Sequence, residues 1–461
     1  MAKAAYESIR QTPTFTPSFT DLEIQNLAER YGTPAYVVDE ETLRKKLSIL
    51  EAAYRGFQGQ AIVAYSMKAN FNPSIIRVFM SEGILFDITS IGEIEFYLRL
   101  GGNPENIIYT SITEEEEEFR IILSKGVNRV VLSSHNGLLN LIRSSKSLGL
   151  TTSVLIRINP EVAVKAGVRA SYKNGKFGVP INGSTVDSAT SLFGKIIESE
   201  NLELEGVHFH LGSQIEDPSC FVPALEKVEN FILKMKREHP ELRLKILDIG
   251  GGTPVDYGRA VPSPREIAFP IISKLNSMVK TLGADFTLII ESGRFLAAES
   301  SVLITRVVNS KVYEASKFII VDAGYHLLLD AALLHQAYPQ EIIPASTEEF
   351  GGEYMKINVV GRLCDTLDIF PSESTLSLGG VQDGKLLVFR NTGAYSLVFN
   401  MPFHCQIKPT VLMRRLNGEI DVIRRAEKIE ELFDREGGNI ALSFSDSAAE
   451  HTVDPGIKER A

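Results

Sequence analysis

Residues Ala61–Ser66 read AIVAYS, a short apolar run, and after MKANFN comes PSIIRVFMSEG (Pro73–Gly83), whose apolar residues recur at helical spacing. The same unit repeats along the chain. ILFDITS (Ile84–Ser90), NIIYTS (Asn106–Ser111), RVVLSS (Arg129–Ser134) and SVLIRIN (Ser153–Asn159) are further strand candidates, with amphipathic segments such as GEIEFYLRLGG between them. EGVHFHL (Glu205–Leu211), LKILDIG (Leu244–Gly250) and FTLIIES (Phe286–Ser292) complete a set of eight. Strand–helix alternation implies parallel strands joined by crossover helices. Eight units favour a closed (β/α)8 TIM barrel over an open doubly wound sheet, and no GxGxxG turn follows the first strand as a dinucleotide fold requires.

Beyond about residue 300 the rhythm changes. KFIIVDAG, KINVVGR, KLLVFRNTGAY, PTVLMRR and EIDVIRR follow one another with turns between, the last two joined by the turn signal LNGE (Leu416–Glu419). An antiparallel β-barrel or sandwich is expected here. PAYVVDE (Pro34–Glu40) precedes the barrel and is expected to return to this second domain. The resulting division is a barrel over 46–297 and a β-domain built from 1–45 and 298–461. Residues 11–20 (QTPTFTPSFT) read as an irregular entry arm, and the stretch from Ser443 to Ala461 as a tail or surface extension.

Composition narrows the functional classes. The 461 residues carry a formal net charge of −10 without a dense Lys/Arg tract, which argues against nucleic acid as a partner. The three cysteines, Cys220, Cys364 and Cys405, are too sparse for a disulfide framework and have no zinc-ligand spacing, so no metal is expected. No apolar stretch reaches the ~18 residues of a membrane span, and no signal peptide is evident. The expected location is the cytoplasm. The acidic run Glu114–Glu118 suits the first turn of a helix better than a metal site.

Barrel active sites sit where the strands end, so the residues there carry functional information. Lys68 follows the first strand, Asp87 and Ser90 the second, and Arg157 lies in the fifth. The sixth brings His208 and His210, then Gly212 and Ser213. The seventh ends in Gly250, Gly251 and Gly252, and the eighth in Glu291 and Arg294. Each has a bland reading. A lone lysine usually snorkels at a surface, a histidine can be a satisfied core residue, glycine runs are commonly tight turns, and Glu291 with Arg294 could form a local ion pair of little worth. Their convergence on one mouth says more. A lysine partly desolvated there is expected to have a lowered pKa and to act as a nucleophile toward a carbonyl. Glycines let backbone N–H groups cradle a phosphate. A carboxylate beside a pyridine nitrogen and a flat side chain against the ring complete the requirements of pyridoxal phosphate.

The motifs AYSMKAN, FDITSIGE, HFHLGSQ, DIGGGTP, ESGR, LCDTLD and NTGAY occur in the order found in fold-type III amino-acid decarboxylases. The chain resembles that family, which includes the diaminopimelate, ornithine and lysine decarboxylases, from about Tyr31 to Pro409. The resemblance implies that Lys68 carries the cofactor covalently and that His210 stacks on its ring, with Asp87 and Arg157 close behind. It implies phosphate contacts from Ser213, Gly250–Gly252, Arg294 and Tyr395, and a Glu291 carboxylate at the pyridine nitrogen. It further implies a homodimer with shared sites, Cys364 reaching in from the second subunit to supply a proton after CO₂ leaves.

Departures from the diaminopimelate decarboxylase pattern bear on substrate. In VDAGYHLLLDAALLHQAY, Asp330 stands where that enzyme offers an arginine to the distal carboxylate, and Leu334 stands where it offers a tyrosine. Aspartate there is expected to repel a carboxylate and attract an amine. Asp365 beside Cys364, and Phe403 before His404, are similar to the ornithine-type enzymes. The bland reading is drift on the rim. ESGR replaces the family's EPGR, and Asn391 stands where ornithine decarboxylase has an aspartate before GAY. The expected activity is decarboxylation of a basic amino acid of lysine or ornithine type, of either configuration. The alternatives are diaminopimelate decarboxylase itself or a relative acting on a carrier-bound or specialised-metabolite amino acid. An alanine-racemase-like enzyme and a non-catalytic decarboxylase-like binding protein are the remaining readings.

Overall fold

A computed structural model of the chain describes residues 19–183, 185–283, 285–314, 316–343, 356–372 and 383–437. Most of the entry arm and the whole C-terminal tail lie outside the described residues.

All eight expected runs form parallel barrel strands. In chain order they are β2 (Ala61–Ser66), β3 (Leu85–Ile88), β4 (Ile107–Tyr109), β5 (Arg129–Leu132), β6 (Thr152–Asn159), β9 (Leu202–His208), β11 (Ile246–Asp248) and β12 (Thr287–Ser292). Their hydrogen-bonded order, β5-β4-β3-β2-β12-β11-β9-β6, closes through β5–β6. Sequence reading passed over three short strands in the connections: β7 (Ala166–Arg169), β8 (Val179–Pro180) and β10 (Gly212–Ile215). β7 and β10 pair antiparallel in a small ribbon in which Ser213 lies opposite Val168.

The barrel interior explains where chemistry is possible. Ala64, Ile108, Val131, Leu155, Ile246 and Ile289 form a separate apolar cluster, with Leu85 packed against it. Side chains alternate along a strand, so the next residue on the same face lies two positions on, about 6.6 Å toward the strand end. Those residues are Ser66, Thr110, Ser133, Arg157, Asp248, Glu291 and Asp87. The interior changes from apolar to polar within one layer, at the mouth where barrel enzymes place their sites. Gly206 allows close contact here, because a Cβ on it would lie 1.9 Å from the Ile246 carbonyl oxygen.

The outer helical layer begins earlier than expected. The helix Glu40–Ala53 crosses the anticipated boundary at residue 46 and packs against β2 and the long helix Pro264–Leu282. Asp39 caps it, its carboxylate accepting from the Thr42 amide at 2.9 Å.

The strand before that helix, β1 (Ala35–Asp39), belongs to the second domain and is buried throughout. It runs antiparallel to β13 (Ser301–Tyr313) and parallel to β19 (Thr410–Arg414). The second sheet is thus mainly antiparallel, as expected, with a parallel pair where β1 meets β19. Its other parallel pair joins β14 (Ser316–Val321) to β16 (Lys356–Val360). A returning N-terminal strand enters from across the molecule, which frees its direction from hairpin geometry. Among the described residues no helix is long and apolar enough to cross a membrane.

Candidate active site

Lys68 sits in a single turn of 3₁₀-helix, Met67–Ala69, directly after β2. Met67 and Ala69 are fully buried, which fixes the turn, while the Lys68 side chain is 42 % exposed and opens into a cavity. Its Nζ donates to Asp87 Oδ2 at 2.8 Å. The turn is held from the second domain as well, because the Tyr395 amide donates to the Ala69 carbonyl at 2.9 Å and Asn70 donates to the Gly393 carbonyl at 2.9 Å.

The electrostatics correct one expectation. Burial alone would lower the Lys68 pKa, but Asp87, Glu291 and Tyr395 together hold it above the ordinary lysine value. The free lysine is therefore an ammonium ion, paired with Asp87. Adjacent anions, rather than desolvation, decide its charge.

His208 Nε2 lies 3.2 Å from Glu291 Oε1, both side chains being buried. Burial alone would raise the Glu291 carboxyl, but His208 and Lys68 hold it well below the usual carboxylate range. Burial pushes His208 down, and pushes His210 down to about 3, so both imidazoles are neutral. The Gly251 amide donates to His210 Nδ1 at 3.0 Å, which leaves the His210 proton on Nε2. Asp248, fully buried, is raised well above the carboxylate range by burial and by Glu291. Arg157 stands over the Phe177 ring, 4.9 Å from its centroid.

The cavity holds about 380 Å³ and is lined by Lys68, His210, Ser213, Gly251, Gly252, Glu291, Arg294 and Tyr395 among others. Gly252, at φ +125°, permits a close approach no side chain would allow: a Cβ there would lie 2.5 Å from the Ile215 side chain and 2.7 Å from the Gly212 carbonyl. Arg294 donates to Ser213 Oγ and to the Tyr257 hydroxyl, each at 3.3 Å, and lies over the Tyr395 ring at 4.5 Å. Tyr257 follows the glycine turn and was missed; the only signal was a polar aromatic shortly after GGGTP.

Asp330 was expected to face a distal amine. It is buried, with Oδ2 3.6 Å from Arg294 NH1, so it balances the arginine instead. Spacing along a short helix, Leu329–Leu333, could not show that direction. Asp330→Ala should destabilise the cofactor-free protein by about 1–3 kcal/mol, as expected when a buried charge loses its partner. The loss should shrink when a phosphate-bearing ligand supplies Arg294 with another anion. Thermal melts with and without pyridoxal phosphate test this; equal losses in both would show that the pairing with Arg294 is not the source.

Cys364, Asp365 and Phe403 do not line this cavity within one chain. They form a second cluster. The Tyr325 hydroxyl donates to Asp365 Oδ2 at 3.3 Å, Phe403 stacks on Tyr325 at 5.9 Å, and the Cys364 amide donates to His404 Nδ1 at 3.4 Å. Asp368 anchors the loop by accepting from the Tyr325 and Leu363 amides, each at 2.7 Å. Cys364 is exposed, as are Leu333, Leu334, Leu367 and, at 37 %, Phe403.

Residues 41–298 match the family model described as pyridoxal-dependent decarboxylase, pyridoxal binding domain. The diaminopimelate decarboxylase of Vibrio cholerae is 30% identical over 414 residues, covering 89% of this chain and 94% of its own. Helicobacter pylori diaminopimelate decarboxylase, solved with L-lysine, superimposes with a TM-score of 0.80 at 28% identity, covering 90% of this chain and 100% of its own. The lysine/ornithine decarboxylase of Vibrio vulnificus, solved with putrescine, shares the fold at a TM-score of 0.72 and 22% identity, covering 87% of this chain and 99% of its own. The match spans the barrel and extends through the second domain, and with it the chain belongs to the pyridoxal-dependent decarboxylases and is a carboxy-lyase that uses pyridoxal phosphate.

Proposed function

We propose that this decarboxylase acts on an amino acid with a distal amine, of lysine or ornithine type, and that it works as a homodimer in which each site draws on both subunits. The observation that carries the substrate reading is Asp365. It is a carboxylate beside Cys364 on an accessible loop, and the exposed Leu334 stands where a group suited to a distal carboxylate would be needed. The dimer is supported by the separation of the Cys364 cluster from the Lys68 cavity and by the apolar side chains exposed around it.

The cavity suits the cofactor. Bare glycine backbone, Ser213 and the Arg294 guanidinium form a cradle for a phosphate, with Tyr395 beside it. Pyridoxal phosphate supplies an electron sink for the bond to the departing carboxylate. Lys68, once deprotonated, would bond to the cofactor's carbonyl carbon with the carbonyl oxygen leaving as water, and Asp87 would stand beside it. Neutral His210 offers a flat face to the ring, and Arg157 lies close behind. Glu291 presents an anion to the pyridine nitrogen, which favours the protonated ring. Cys364 of the second subunit delivers a proton to the α-carbon once CO₂ has left, and Asp365 and Phe403 orient the substrate side chain.

A second reading, meso-diaminopimelate as substrate, is favoured by Arg362. This exposed cation two residues before Cys364 could meet the distal carboxylate that lysine lacks. A CO₂-release panel of D- and L-lysine, D- and L-ornithine, arginine and meso-diaminopimelate separates the two. Release from lysine or ornithine is the expected result. Release from meso-diaminopimelate alone would replace the first reading by the second.

A further inference from the structure

His208, Asp248 and Glu291 stand on the neighbouring strands β9, β11 and β12, and their ligating atoms lie within 4.8 Å of one another. Asp248 is paired in register with His208. All three side chains are buried beneath the glycine turn. Glu291 faces the cofactor cavity, whereas His208 and Asp248 are absent from its lining. What the two buried groups do for Glu291 is decided by their protons.

Among the described residues the His208 ring makes one hydrogen bond, Nε2 to Glu291 Oε1, and its Nδ1 is buried with no partner. A bare ring nitrogen is the less costly group to bury, since an N–H left unpaired would forfeit a donor as well as its hydration. The proton therefore belongs on Nε2, and His208 donates it to Glu291 Oε1. Asp248 is pinned separately. Its Oδ1 accepts from the Gly250 amide at 2.8 Å, while its Oδ2 has no partner among the described residues. Burial and the nearby Glu291 both raise the Asp248 carboxyl, and its bond from the Gly250 amide ties the cluster to the glycine turn.

We propose that His208 is a positioning residue that fixes the Glu291 carboxylate as an anion, with one oxygen occupied and the other turned toward the cofactor's pyridine nitrogen. This rests on the assignment of Glu291 to that nitrogen. Removing the N–H donor leaves Glu291 free to rotate and easier to protonate, and the ring nitrogen then loses its proton partner. The hydrogen bond runs in the same direction as that between a carboxylate and the histidine metal ligand it orients, but here the histidine orients the carboxylate.

The test uses His208→Leu, which fills the space without a donor, and His208→Gln, which restores an N–H. Both are loaded with ring-¹⁵N-labelled pyridoxal phosphate. The expected result in His208→Leu is a ring-nitrogen resonance moved toward the unprotonated position, with kcat lowered on the order of 10- to 100-fold and KM within about threefold. His208→Gln should recover most of both. If His208→Leu does not accumulate as folded protein, His208→Ala is read in the same way. An unchanged resonance in the donor-less variant would overturn the proposal. Equal failure of the glutamine and leucine variants would do so too, because a purely structural role predicts it. Stoichiometric metal retained by the wild type and lost from His208→Leu would also overturn it, since the three residues would then be metal ligands. Glu291→Gln separates the two assignments: if it leaves the resonance unmoved, Glu291 is not at the nitrogen and the underlying reading fails; if it moves the resonance while His208→Leu does not, only the role of His208 fails.

Discussion

Lys68→Ala should leave the protein folded, stop it retaining pyridoxal phosphate through dialysis, and lower turnover by ~10³-fold or more, as losing a covalent catalyst does. The turn that carries Lys68 is set by the buried neighbours Met67 and Ala69 and by backbone bonds from the second domain, none of which uses the lysine side chain. The main structural consequence is at Asp87, which is fully buried and loses its ion-pair partner. Lys68→Arg is the matching control. It returns a cation to Asp87 and so should recover any lost thermal stability, yet it has no primary amine and should remain as inactive as the alanine variant. Borohydride reduction followed by peptide mapping completes the test. A cofactor found covalently attached elsewhere in Lys68→Ala would assign the role to another lysine.

The charge on that lysine illustrates what sequence could and could not supply. The eight strands were legible because a strand buried on both faces reads as a continuous apolar run, and each run here carries a polar residue at or near its C-terminal end. The switch from Leu155 to Arg157, or from Ile289 to Glu291, is written in the sequence at a spacing of two. What the spacing omits is which neighbours face each other across the barrel. Lys68 was expected to lose its proton readily because it is enclosed, but Asp87 on the next strand, held at 2.8 Å, reverses the sign. Glu291 and His208 meet across two strand spacings, a contact no local pattern announces. Asp330 failed differently. It was expected to face a distal amine, but a short helix turns it inward to Arg294. The parallel pairing of β1 with β19 was likewise invisible, since the partners lie more than 370 residues apart.

Asp365→Ala should lower kcat/KM for a substrate with a distal ammonium roughly 10- to 150-fold, the cost of leaving a charged group without its partner. Most of the loss should appear in KM, because a contact remote from the reacting carbon binds the ground state and the transition state alike. Asp365→Asn keeps the shape and the contact with Tyr325 and should fall between the alanine variant and the wild type. A substrate lacking the distal amine should be nearly indifferent to either change, and an equal loss for both kinds of substrate would remove Asp365 from substrate recognition. The same variant tests where the loop acts. If Asp365 serves the partner's cavity, a mixture of Lys68→Ala and Asp365→Ala chains forms hybrid dimers with one intact site. Random pairing makes half of all dimers hybrid, so activity should return to about a quarter of the wild-type value. If each chain supplied its own Asp365, every site would carry one defect and mixing would restore nothing. The exposed Cys364 loop, held by Asp368 and lying outside the Lys68 cavity of its own chain, is the reason to expect recovery.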